Sequence, residues 1–106
     1  MPKYLFQVSY TAEGARGILT GGGSRRRKSI EEMVNVAKGK LEALYFTCGD
    51  DDVVLIVDLP DHAAASAIAL TVAASGYART KTTILMPAEE VDEAAKRTVK
   101  YPPPGT

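Results

Sequence analysis

The sequence predicts an α+β domain: a four-stranded antiparallel sheet, helices on one face, and an extra helix near the C-terminus. Three observations predict it. Residues 3–10 alternate in polarity with the period of a half-buried strand. Ile30, Met33, Val34 and Ala37 recur at the spacing of one helix face. Gly49-Asp50-Asp51 is turn chemistry between two further strand-like runs.

In chain order, Tyr4, Phe6, Val8 and Tyr10 fall on one face of the first strand, with Leu5, Gln7 and Ser9 on the other. Thr11 is placed to cap a short helical stretch carrying Ile18 and Leu19, broken by Gly21–Gly23. Ser24 is read as the cap of a second helix over 24–38, with Gly39 as the left-handed residue that ends it. Residues 40–48 and 52–59 then form a hairpin. Asp61 caps an alanine-rich helix over 62–75 that stops at Gly76, and residues 78–86 return as a strand. Pro87 opens a charged helix in which Asp92–Lys96 and Glu93–Arg97 stand at pairing distance in sequence. The order β-α-β-β-α-β plus a helix is the ferredoxin-like split βαβ arrangement.

The chain's 106 residues are read as one domain, 1–106, with 99–106 a proline-rich tail. Thirteen basic residues cancel thirteen acidic ones, which excludes a strongly basic nucleic-acid binder. The single cysteine, Cys48, excludes an internal disulfide framework and any Cys-x-x-Cys site. No apolar run suits a signal peptide or a membrane span, so a cytoplasmic setting with no membrane partner is expected.

Candidate chemistry is sparse. His62, the sole histidine, reads as a surface or capping residue at a helix start. Asp50-Asp51-Asp52 lacks the spacing of an EF-hand and reads as a solvated turn, with Asp52 fixing it; no metal or cofactor is expected. Cys48 reads as an inert small hydrophobe. Tyr4, Tyr10 and Tyr45 read as core or cavity wall, and Gln7, Ser9, Asp58, Lys81 and Thr83 as polar groups available to line a pocket. The run Gly21-Gly22-Gly23-Ser24-Arg25-Arg26-Arg27-Lys28 is the exception, because four cations in a first turn oppose the helix dipole. Its solvated reading has Arg27–Glu31 and Lys28–Glu32 as compensating pairs. Its functional reading is an anion site at Ser24 and Arg26, for a phosphate or carboxylate.

Several stretches together resemble the GYD domain family of small bacterial proteins. These are Tyr4-Leu5-Phe6 leading into Tyr10-Thr11-Ala12-Glu13-Gly14, Gly23-Ser24 with Arg26, and Gly39-Lys40-Leu41-Glu42. Gly49-Asp50-Asp51-Asp52 before Val53-Val54-Leu55-Ile56-Val57 falls where the naming motif lies. Gly49 and Asp52 match the family's Gly and Asp, whereas Asp51 stands at the usual Tyr position. The resemblance implies a dimeric α+β-barrel and leaves the reaction open: a small-ligand-binding or small-enzyme domain with a pocket at the sheet, or a non-catalytic interaction module. Ser24, Arg26, Gly49 and Asp52 form the candidate ligand-binding set, with no catalytic residue assigned.

The residues themselves also argue for self-association. The segment 62–75 carries no Asp, Glu, Lys or Arg, and Val53–Val57 is apolar on both faces. Helices cover only one sheet face, so the other is expected to meet a second copy.

Overall fold

The computed structural model describes residues 1–105; Thr106, the last residue of the expected tail, lies outside them. It contains β1 (Lys3–Tyr10), α1 (Ala12–Gly21), α2 (Gly23–Val36), β2 (Lys40–Phe46), β3 (Val53–Asp58), α3 (His62–Ser75), β4 (Ala78–Leu85) and α4 (Ala88–Ala95). The strands form one sheet in the order β2-β3-β1-β4, every neighbouring pair antiparallel. This is the ferredoxin-like arrangement with an added helix, as the sequence predicts.

The period of two in β1 decides which face is core. Tyr4, Phe6 and Val8 are buried beneath the helices beside Val53, Leu55 and Val57 of β3. Ile30 and Val34 of α2 and Ala65 and Ile68 of α3 close the core from above. A bulge between Leu41 and Ala43 lets Leu41 and Leu44, three residues apart, both face inward.

The helix ends follow local chemistry, with two departures. Thr11 and Asp61 cap as expected, accepting from the Gly14 and Ala64 N–H groups at 3.3 and 2.9 Å. Ser24 does not cap α2. Gly22, at φ 82°, makes the break, and the helix has already begun at Gly23 with no side-chain cap. At the other end of α2 it is Lys38, at φ 64°, that takes the left-handed position, while the Gly39 N–H donates to the Val34 carbonyl at 2.9 Å. Gly39 is required for a different reason: a Cβ there would lie 2.3 Å from the Asp58 carbonyl oxygen.

The sheet face away from the helices is open. Its middle carries Leu5, Val54, Ile56 and Tyr45, the last 70% exposed. Lys3 donates to Asp58 and Glu42 at 2.8 and 3.0 Å at one end, and Asp51 accepts from Gln7 at 3.1 Å and Ser9 at 3.3 Å at the other. The bond to Asp58, then that to Glu42, holds the Lys3 ammonium above its ordinary pKa. Beyond β4, α4 buries none of its residues. The radius of gyration is 16.9 Å and the longest dimension 55 Å, against about 13 Å for the radius of a compact chain this long. The C-terminal arm therefore stands off the body.

Candidate functional site

A cleft of about 570 Å³ opens on the helix side of the sheet, between α1 and the start of α2 on one wall and α3 on the other. Chain geometry makes it. The kink at Gly22 turns α2 away from α1, and the final residue of β1, Tyr10, emerges at the base of the corner. Gly14, Gly17 and Gly21 thin the α1 wall, to which Glu13 and Ile18 add the side chains, and Val72 with Ala78 supplies apolar surface opposite. A narrower gap of about 30 Å³ shares Arg26 and Val72 with the cleft and reaches Phe6, Ile30 and Ile68 over the sheet.

Arg26 is the ordered cation of this cleft. Its Nε donates to the Tyr10 hydroxyl at 3.2 Å, and its guanidinium carbon lies 5.7 Å from the Tyr10 ring centroid. The Tyr10 oxygen accepts from Arg26 and keeps its own proton to donate. Among the described residues no carboxylate forms an ion pair with Arg26, so its two terminal nitrogens remain available as a planar donor fork. Arg25 lines the same cleft, with Glu13 as the one acidic lining residue. Ser29, Thr71, Ser75 and Tyr77 add neutral polar groups. Chemically, this arrangement suits a small organic anion: a carboxylate or phosphate oxygen pair on Arg26, with an apolar body along Gly17, Ile18 and Val72.

Of the four candidate residues, the structure brings Arg26 into the cleft and leaves Ser24 exposed outside its lining. Gly49 sits in the exposed β2–β3 loop, with nothing within 4 Å of where a Cβ would be. Asp52 acts at one remove. Its carboxylate accepts the Tyr10 backbone N–H at 2.7 Å, and its own N–H donates to the Val8 carbonyl at 2.8 Å. It thereby fixes the residue that braces Arg26. Its neighbour Asp51 turns instead to the open face, bonding Gln7 and Ser9 and standing 3.7 Å from Lys81. The expected Arg27–Glu31 and Lys28–Glu32 pairs do not form among the described residues, and of the two expected in the last helix only Glu93–Arg97 does, at 4.0 Å.

Tyr10 is the site residue that motif reading left among the wall tyrosines. The signal was present: it ends the alternating face of Tyr4, Phe6 and Val8 and directly precedes the Thr11 cap, which places it at a strand–helix corner. His62 is exposed at the start of α3, as the sequence reading has it, and makes one further contact. Its Nδ1 meets the hydroxyl of the buried Tyr4 at 2.5 Å, with the rings edge to face at 5.7 Å. Cys48, read as an inert small hydrophobe, is free and exposed. Gln7, Ser9 and Lys81 surround Asp51 on the open face, and Asp58 binds Lys3, so none of these four lines the cleft. Among the described residues no three His, Cys, Asp or Glu converge as a metal site, and no helix is long and apolar enough to cross a membrane.

The model of the GYD domain family matches residues 4–95, from the second residue of β1 to the last of α4. No curated protein and no solved structure matches the chain.

Proposed function

The chain belongs to the GYD domain family, and from that premise we propose that it binds a small organic anion in the cleft beside Tyr10 and Arg26, and does so as a homodimer packed through its open sheet faces. The observation that carries the ligand reading is Arg26: a partly buried guanidinium with no carboxylate partner among the described residues, oriented by a tyrosine hydroxyl in a cleft of about 570 Å³. That volume lies in the range of small-molecule sites. The open face, apolar in the middle and polar at both ends, supports the dimer; two such sheets in contact bury more than about 1,000 Å². Unpaired, exposed Cys48 fits a reducing compartment, and a bacterial cytoplasm is the setting this reading takes.

The test is a titration of ¹⁵N-labelled protein with acetate, succinate, benzoate and phenyl phosphate. Amide resonances of Tyr10 and of residues 22–29 should move at millimolar ligand or below. Arg26→Ala should weaken binding about 10- to 100-fold, the loss expected for a charged hydrogen bond of about 1.5–3 kcal/mol. Unmoved resonances with all four anions would overturn the ligand reading. A second reading, an interaction module without catalysis, is supported by the outer strip of α3, where Ala63, Ala67 and Ala74 flank a Leu70 that is 70% exposed. Silent titrations together with a stable oligomer would favour it.

A further inference from the structure

We propose that the ligand of the cleft is a carboxylate with a short unbranched alkyl tail: the carboxylate sits on Arg26, and the tail runs past Val72 into the apolar seam between α2 and α3. This rests on the anion reading above and supplies the chemistry of the ligand's other end.

Arg26 stands where two different spaces meet. It lines both the cleft and the narrower gap, and Val72 is the other residue common to them. The gap lies in the seam between the two helices, with Phe6 and Leu55 of the sheet beneath it and Ile30, Met33 and Ile68 of the helices around it. Phe6, Ile30, Leu55 and Ile68 are buried, and Met33 is half-buried. Thr80 contributes one hydroxyl to this lining, and Arg26 its one charge. The polar groups of the cleft stop at that boundary: Glu13, Arg25, Ser29 and Thr71 line the cleft and none of them reaches the seam. Water needs two or more polar partners to be held in such a space, whereas a hydrocarbon chain gains contacts there that an empty gap forfeits. A carboxylate on the Arg26 fork thus keeps its charge at the junction while its tail has an apolar space to enter.

The size of the seam sets the size of the tail. Its volume of about 30 Å³ is room for about two water-sized groups, hence about two or three carbons of a single chain, and too little for a ring. Each carbon that leaves water there should tighten binding about fourfold. A longer chain has to displace Met33, whose unbranched thioether side chain can shift but gives up its own packing when it does. The gain per carbon therefore levels off.

The experiment titrates the full chain, labelled with ¹⁵N and at its Ile and Leu methyl groups, with acetate, propanoate, butanoate, pentanoate, heptanoate and cyclohexanecarboxylate, each below the concentration at which it aggregates. Affinity is read from the amides of residues 22–29, and the seat of the tail from the methyl resonances of Ile30, Leu55 and Ile68. Binding should tighten about fourfold per carbon from propanoate to pentanoate and level off by heptanoate, with the three methyl groups moving as the tail lengthens. Cyclohexanecarboxylate, with the same carbon count as heptanoate, should leave them unmoved. Met33 lines the seam and not the cleft, so its variants change the tail's room alone. In Met33→Ala the tightening should continue to heptanoate, and in Met33→Phe it should stop earlier than in the parent. Arg26→Ala should weaken every chain length by the same factor. Circular dichroism confirms that each variant is folded. Equal affinity at all chain lengths, or tightening that leaves the three methyl groups unmoved, overturns the seam and leaves the anion reading standing. A Met33→Ala protein that still levels off where the parent does also overturns it. Amides unmoved by every carboxylate overturn the anion reading and the seam with it.

Discussion

Gly14 and Gly17 sit three residues apart in α1, and the same substitution at each should move stability in opposite directions. A Cβ on Gly14 would lie 2.2 Å from the Tyr77 carbonyl oxygen and 2.9 Å from Cδ1 of Tyr10. The first of these neighbours is backbone and cannot rotate aside. That same carbonyl already accepts the Thr11 N–H at 2.9 Å, so moving it breaks the junction between α1 and β4. Overpacking of this kind costs about 1–3 kcal/mol, and Gly14→Ala should destabilise by that amount less the helical gain of alanine. At Gly17 a Cβ meets nothing within 4 Å. Only the propensity difference remains there, so Gly17→Ala should stabilise by about 0.5–1 kcal/mol. Urea unfolding followed by circular dichroism, at one fixed protein concentration, reads both changes as shifts in midpoint at constant slope. A Gly14→Ala protein as stable as the parent would refute the steric account. A Gly17→Ala protein destabilised by more than about 1 kcal/mol would refute the open wall. Because Gly17 lines the cleft, its alanine variant should also bind bulky anions more weakly while it gains stability.

Two further expectations concern the sheet ends. Asp52→Ala removes the carboxylate that accepts the Tyr10 N–H at 2.7 Å; it should cost about 1.5–3 kcal/mol in urea unfolding and loosen Tyr10, seen as broadening of its amide resonance. Lys3 has a folded pKa raised above 10.5, by Asp58 first and Glu42 second. A raised pKa means that the folded chain holds this proton more tightly, so the contribution is complete below pH 10.5 and is lost as pH climbs through the folded value. Denaturation series at pH 9 and 11.5 should show the parent's advantage over Lys3→Met shrinking at the higher pH; an advantage that grows would reverse the sign and reject the assignment.

The alternation in β1, the stripe in α2 and the Gly-Asp-Asp turn made the sheet legible from sequence, because each is a local signal that tertiary packing reinforces. The register of β1 with β3, Tyr4 opposite Val57 and Val8 opposite Val53, follows from aligning two buried faces. The start of α2 was less legible. Serine is the stronger cap by propensity, but Gly22 alone can take φ 82° at the kink, and the helix resumes at once. Arg26 was legible as a candidate because its charge is unfavourable where it stands. Its partnership with Tyr10, sixteen residues away, depends on the angle between α1 and α2, which no spacing in the chain reports. Asp52 was legible as a turn residue, while its hold on Tyr10 required the hairpin to fold back beside the end of β1.

The divergence of Asp51 and Asp52 has a consequence for how the loop between β2 and β3 can change in length. Hairpin loops at a surface ordinarily tolerate insertions. Here adjacent carboxylates serve opposite sides of the sheet, Asp51 the open face and Asp52 the backbone of Tyr10 beside the helices. Adding one residue between Asp52 and Val53 would exchange their directions, since neighbours in extended chain point opposite ways. Asp52 would then face Lys81 in place of Asp51, and the Tyr10 N–H would lose its acceptor to whatever residue was inserted. Thr47 holds the other side of the loop, its N–H donating to the Asp52 carbonyl at 2.8 Å and its hydroxyl to the Asp51 carbonyl at 2.6 Å. Length is therefore free to vary only at Cys48 and Gly49, since the Asp50 carbonyl accepts from the Ser9 hydroxyl at 3.4 Å, and a graft or tag placed there would spare both faces.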